Sequence, residues 1–319
     1  MFLAGIDEAG YGPLLGPMVV GWSLFRVPEA DTDLWPVTAH SASPKPARRP
    51  RQERRVWVDD SKKVHAGPHG RARLERSVAA FRELNAPGAS SLEGWIHEPP
   101  APASRSLQRA PWFRTLVGPL TPHADPVRAR LDAGLLRRDL EQGGCAADGF
   151  GARAVPAAEW NDLTRELGKG DALFRVVMEV FQHLLRHTGT APLRIECDRH
   201  GARMRYGERL RRALGPDRLE VHTELPSWSL YTLEFGPKRV EVRFAENADG
   251  LRFPVALGSL AAKLTRERLM DLWNDWFAER LPGVRPTKGY ALDAKRWLAE
   301  AETDLPGLGV DQEILRRRR

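Results

Sequence analysis

The apolar run Phe2, Leu3, Ala4 and Ile6 predicts a first strand, and Gly10, Gly12, Pro13 and Gly16 predict its end. Met18 to Val27 predicts a second strand. Helical spacing of apolar positions predicts a helix with a basic face from Gly70 to Leu84 and a longer one from Ala172 to Thr188. Leu193 to Asp198 predicts a short strand running into a further turn. Strand-like runs follow at Leu219 to Thr223, Leu230 to Phe235 and Arg239 to Phe244, and then two helices, from about Leu257 to Leu281 and from about Leu292 to Ala301. Strands first, then strands and helices mixed, predict an α/β or α+β protein with helices on the faces of a sheet.

Two stretches break the pattern. From Val27 to Arg55 the chain holds Pro28, Pro36, Pro44, Pro46 and Pro50 among Lys45, Arg48, Arg49, Arg51, Arg54 and Arg55, the composition of a mobile basic loop or insertion. From Asn85 to Pro156 proline and glycine predict a second irregular insertion, with one helix-like piece around Val127 to Leu140. Neither carries an internal repeat. The expected organisation is one domain over 1–319, with insertions at 27–55 and 85–156 and a helical C-terminal segment at 282–319.

Composition narrows the class. The 319 residues are 42% hydrophobic, enough for a substantial core. No stretch approaches the ~20 apolar residues of a membrane span, and Asp7 interrupts any leader-like start. The two cysteines, Cys145 and Cys197, are too few and too far apart for a zinc cluster or disulfide framework, which fits a reducing, cytoplasmic compartment. A net charge of +7, carried largely by arginine, favours a polyanionic partner such as nucleic acid. It equally fits a merely solubilised surface.

The candidate chemistry lies in four blocks. IDEAGYGPLLGP sets two adjacent carboxylates, Asp7 and Glu8, at the end of the first strand. Side chains alternate along a strand, so neighbouring acids converge on one site only where the strand stops or bends. LRIECDRHG repeats the design with Asp198 and Gly201. In NADGLRFPVALGSLAAKLTRER, Asp249 sits in a turn ahead of Ser259, and the helix that follows carries Lys263 and Arg266, a pattern suited to phosphate. VDDSKKV offers Ser61, Lys62 and Lys63. Each block also has a plain structural reading: turn chemistry for the glycines, a helix cap for Ser259, solvated charge for Lys62, Lys63, Lys263 and Arg266. His200, beside Asp198, reads as a structural histidine.

Together the blocks GIDEAGYGP, DDSKK, the strand-end Asp198, the Asp249 turn before GSLAAKLTRER, and PTKGY at Pro286 to Tyr290 resemble the type 2 ribonucleases H, the ribonuclease HII and HIII group. The resemblance spans nearly the whole chain. It implies a ribonuclease H-like α/β fold with a central five-stranded mixed sheet flanked by helices. It also implies a metal-dependent endoribonuclease that cleaves the RNA strand, or embedded ribonucleotides, of RNA–DNA duplexes. By the same resemblance Asp7, Glu8, Asp198 and Asp249 are the catalytic and metal-binding acids, holding Mg²⁺ or Mn²⁺, two ions in the family's scheme. Gly10, Tyr11 and Gly12 correspond to the turn that reads a ribose 2′-hydroxyl. Ser61, Lys62, Lys63, Ser259, Lys263, Arg266 and Tyr290 become substrate contacts, and no obligate protein partner is implied.

The chain departs from that family at Tyr11, where a basic residue is usual, at Ala291 after Tyr290, and at Glu267, where the family reads Asp. Two rival readings stand beside the enzyme: a non-catalytic nucleic-acid-binding relative, and a nuclease of the same fold with a DNA substrate.

Overall fold

The structure is a computed structural model and describes residues 1–46, 54–100 and 103–318. Its framework is one mixed sheet of strands β1 (Phe2–Ala9), β2 (Met18–Arg26), β3 (Ala146–Val155), β4 (Leu193–Asp198), β5 (Arg218–Glu224), β6 (Trp228–Phe235) and β7 (Lys238–Ala245). They lie side by side as β3-β2-β1-β4-β7-β6-β5. β1, β4 and β7 run parallel, and each remaining strand is antiparallel to its neighbour.

The helices are α1 (Gly70–Asn85), α2 (Pro126–Gln142), α3 (Ala157–Leu167), α4 (Lys169–His187), α5 (Gly207–Leu214), α6 (Phe253–Ala278) and α7 (Ala291–Glu300), with several single turns between them. Strand alternation decides which helix each sheet residue meets. Leu3, Val19 and Phe25 join Leu257 and Leu260 of α6 and Phe81 of α1, whereas Ala4, Ile6, Val20 and Leu24 join Val177, Val180 and Phe181 of α4 on the opposite face. Each of these side chains larger than alanine contributes about 1.5–3 kcal/mol on burial, so both helices are held by the sheet itself.

α6 comes unusually close to β1 and β2. A Cβ added at Gly5 would stand 2.0 Å from the carbonyl carbon of Pro254, and one at Gly21 would stand 2.0 Å from the oxygen of Gly258. Glycine at both positions lets the helix backbone rest on the strands, which brings Ser259 over the end of β1.

Most predicted elements lie where the hydrophobic pattern sets them, but three expectations need correction. The sheet has seven strands rather than five, because the hairpin β5–β6 pairs the outer edge of β7, which would otherwise present open backbone groups. The 85–156 segment is not irregular throughout: besides α2, at the expected helix-like piece, it supplies the edge strand β3. That strand was hidden by its small residues, since Gly149 and Gly151 leave room for the Trp22 ring, 2.6 and 2.9 Å from where their Cβ atoms would stand. Within 27–55, the described residues include Leu34 and Ala42, both buried in the core, rather than a free loop. Arg48, Arg49, Pro50 and Arg51 lie outside the described residues. The C-terminal segment holds α7 as expected, then returns to the first turn, where Arg316 bridges to Leu15. Among the described residues no helix is long and apolar enough to cross a membrane, and both cysteines are buried and unpaired.

Candidate active site

Asp7 and Glu8 lie in the last three residues of β1, at the end of the strand as expected, but the strand neither stops nor bends at them. β1 remains paired with β2 as far as Ala9. On its other side, however, the pairing with β4 runs only to Ile6 opposite Cys197. The sheet therefore opens beside Asp7 and Glu8, and β4 delivers Asp198 into the same gap as its last residue. The opening is one-sided, which satisfies the geometric need without bending the strand.

Asp249 arrives from the single helical turn Ala248–Leu251 that joins β7 to α6. Asn247 begins that turn in the left-handed region at φ 53°. The amide of Ala248 donates to Asp198 Oδ1 at 2.8 Å, fixing the turn against β4. Thus three separate connections of the sheet bring four carboxylates to one edge.

Their electrostatics follow from that crowding. Burial, and then the charges of Glu8, Asp198 and Asp249, push Asp7 well above the usual carboxylate range, while a hydrogen bond from Ser259 acts against them. Burial and then Asp198 push Glu8 up to about 8. Burial pushes Asp198 up to about 6 against the opposing Ala248 amide, and burial followed by Asp60 raises Asp249. All four shifts have one sign: the ionised cluster lacks positive charge.

Ser61, Lys62 and Lys63 form a single turn, Ser61–Val64, capped by Asp60, whose carboxylate accepts from the Lys62 amide at 2.9 Å. Ser61 lies against Ser259. Lys62 is exposed, and its charge opposes the upward shifts of Glu8, Asp198 and Asp249. Lys63 Nζ pairs with Asp59 at 3.0 Å. Asp59 and Asp60, absent from the sequence-based site set, were visible in the same VDDSKKV block as the residues that orient its lysines.

The glycine turn borders this edge. Gly10 has φ 85°, and a Cβ there would stand 2.6 Å from the Arg266 side chain. Gly12 has an ordinary φ, and its Cβ direction is open. Among the described residues the amides of Gly10, Tyr11 and Gly12 have no intramolecular acceptor. Tyr11 packs edge-on to Trp160 with ring centres 6.1 Å apart, and Lys169 Nζ lies 4.4 Å from its ring centre. A cation therefore stands beside Tyr11, where the sequence shows none locally. Lys169 opens α4 far along the chain, so only the fold could reveal it.

Two expected contacts are engaged with partners of their own. Lys263 is largely buried and pairs with Glu267 at 2.8 Å. Arg266 is fully buried beneath the glycine turn, with Tyr290 over its guanidinium at 5.1 Å. His200 is packed among Phe174, Tyr206 and Phe244, and burial pushes it down to about 3, in keeping with a structural histidine.

The donor set consists of hard carboxylate oxygens short of positive charge, which fits Mg²⁺ or Mn²⁺ in chemistry. Among the described residues no three His, Cys, Asp or Glu side chains are gathered at the spacing of a formed metal site. An ion held here would require these side chains to draw together on it.

No family model matches the chain, and no curated protein matches it. The chain is similar to solved ribonuclease HII and HIII structures. These include the PCNA complex of RNase HII from Archaeoglobus fulgidus, at 15% identity and TM-score 0.43, with 100% of this chain and 95% of that one covered. Ribonuclease H2 from Pyrococcus horikoshii OT3 matches at 16% identity and TM-score 0.43, covering 99% and 92%. Bst-RNase HIII in complex with Mn²⁺ matches at 11% identity and TM-score 0.39, covering 99% and 66%. Values this low leave function to be read from the chain's own residues.

Proposed function

We propose that this chain is a metal-dependent endoribonuclease that hydrolyses phosphodiesters at ribonucleotides within nucleic-acid duplexes. The observation that carries the reading is the meeting of Asp7, Glu8, Asp198 and Asp249 at one sheet edge, all with proton affinities raised first by burial and then by neighbouring carboxylates. A purely structural site gains nothing from gathering four such groups.

These acids would hold one or two Mg²⁺ or Mn²⁺ ions, which would supply neutralising charge and acidify a water so that it can lose a proton and attack phosphorus as hydroxide. The remaining roles belong to the chain. Ser259 holds the Asp7 carboxylate toward its ionised form. Lys62, exposed at the rim, draws the phosphate backbone toward the edge. The unpartnered amides of Gly10, Tyr11 and Gly12 present donors to a ribose 2′-hydroxyl, the group that distinguishes RNA from DNA. Tyr290, partly exposed beyond the turn, offers a ring face to a sugar or base.

The test is cleavage of end-labelled duplexes of three kinds, all-DNA, RNA–DNA hybrid and DNA with one ribonucleotide, with Mg²⁺, with Mn²⁺ and with chelator. Cutting confined to ribonucleotide-containing strands and abolished by chelator supports the proposal. Equal cutting of all-DNA, or activity in excess chelator, overturns it.

A further inference from the structure

Beneath the glycine turn lie two arginines from distant parts of the chain, Arg266 on α6 and Arg317 in the C-terminal tail, exposed by only 0% and 2%. Each spends one nitrogen on the backbone. Arg266 Nη2 donates to Lys288 O at 2.8 Å and to Leu15 O at 3.4 Å, and Arg317 Nη2 donates to Pro13 O. The Nε and Nη1 atoms of both are buried without an acceptor. No carboxylate pairs with either guanidinium among the described residues.

Aromatic rings cover the guanidinium faces: Tyr290 lies 5.1 Å from Arg266 and Trp160 lies 5.6 Å from Arg317. Such stacking stabilises a cation but leaves its in-plane N–H groups unsatisfied. Two buried like charges with unmet donors are costly unless an anion joins them. Burial, and then Arg266, push Arg317 down to about 9, so it remains a cation at neutral pH.

The surroundings are shaped for this pair. Cβ atoms at Gly10 and Gly289 would stand 2.6 and 3.3 Å from the Arg266 side chain, so backbone closes on it from two sides. The tail is held in place by Asn161, which donates to Glu313 O at 2.9 Å and Arg316 O at 2.8 Å and accepts from the Arg318 amide at 2.6 Å. The Arg317 amide donates to Leu14 O at 2.8 Å. Tyr290 is the exposed member, 45% open to solvent, and so forms the outer wall over Arg266.

We propose that Arg266 and Arg317, with Tyr290 as the outer wall, form an anion site that takes one phosphate group of a nucleic-acid strand lying across the glycine turn. The assignment of that phosphate to nucleic acid rests on the proposed nuclease reading. The anion site itself rests on the unmet donors.

Inorganic phosphate is the probe, added to the full chain at an ionic strength matched with chloride. Phosphate in tenfold excess over its Kd should raise the melting temperature by about 2 °C. Arg317→Met should remove the response while keeping the aliphatic stem, and Arg317→Lys should keep part of it. Should Arg317→Met fail to fold, Arg317→Lys decides, by a weaker response than the unaltered chain. No phosphate-specific shift in the unaltered chain, or a full response in both variants, overturns the site. Salt dependence of duplex binding tests the strand assignment: Arg317→Met should flatten the slope of log K against log salt by about 0.9, one phosphate contact. A vanished phosphate response with an unchanged slope overturns that assignment. Absence of cleavage with both binding results intact contradicts only the proposed activity.

Discussion

Ser259 Oγ donates to Ser61 Oγ at 2.9 Å, and the same hydroxyl is close enough to the Asp7 carboxylate to favour its ionised form. The two hydroxyls join the start of α6 and the Ser61–Val64 turn to the end of β1. Ser259 donates to Ser61 here, and rotating its proton to Asp7 leaves Ser61 to donate to Ser259 in return, so the pair can act as a short relay favouring the ionised acid.

Ser259→Ala removes that donor and leaves Ser61 without its partner. A hydrogen bond of this kind is worth about 1 kcal/mol, so cleavage at pH 7 should fall roughly fivefold. The loss should shrink at higher pH, where Asp7 ionises without help. A uniform loss across the pH profile would assign Ser259 to packing alone.

Stability should depend on pH through the same cluster. Glu8 rises from 4.5 to about 8 and Asp198 from 3.8 to about 6 on folding, so the folded chain binds more protons than the unfolded chain between those values. Stability of the metal-free protein is therefore greatest below about pH 4, as far as these groups decide it. It declines as pH rises through 6 and on to 8. Mg²⁺ should raise the melting temperature more at pH 8 than at pH 5. Asp198→Asn, which removes one repelling charge and can still accept from Ala248, should make the metal-free protein more stable at pH 8 while abolishing turnover. A melting temperature independent of pH between 5 and 8 would contradict the shared origin of these shifts.

Much of this arrangement could be read from sequence because it is local. Asp198 ends its apolar run, as predicted, and the glycines after Glu8 mark a real turn. The one-sided opening at Ile6 could not be read, since it depends on where β4 stops relative to β1. β3 escaped detection because its glycines yield space to Trp22, a demand made by another strand. Lys169 and Arg317 lay beyond local reasoning for a similar reason: each reaches the first turn from a distant segment. Burial of Lys263 beside Glu267 likewise needed the packing of α6 against its neighbours.

The glycine turn separates conformational from recognition roles. Gly10→Ala meets both a positive φ and the Arg266 side chain at 2.6 Å, and should cost about 1–3 kcal/mol in denaturant unfolding. Gly12→Ala should leave stability within about 0.5 kcal/mol, since its Cβ points into open space. Any effect of Gly12→Ala on preference for hybrid over all-DNA then reports contact with the substrate. Equal destabilisation by both substitutions would contradict this division.

Glu267 has a different task from the carboxylates of the sheet edge. It accepts from Lys263 at 2.8 Å, and its second oxygen lies 3.9 Å from His65 and 4.0 Å from Arg71. Burial raises its proton affinity, but Lys263 and the other cations outweigh that and hold it below the usual range. Glu267→Gln should destabilise by about 3 kcal/mol, and Lys263→Met with Glu267→Met by less, because the double change leaves no lone buried charge in the pair. Additive losses in the resulting double-mutant cycle would contradict a direct pairing.

The central claim is hydrolysis by a water activated at the carboxylate edge, without the ribose 2′-oxygen acting as nucleophile. The direct measurement is the chemistry of the new ends formed on a duplex with one ribonucleotide in Mg²⁺. The account predicts a 5′-phosphate and a 3′-hydroxyl, with no product from the Asp7→Asn variant. A 2′,3′-cyclic phosphate, or the same products from Asp7→Asn at an undiminished rate, would contradict it.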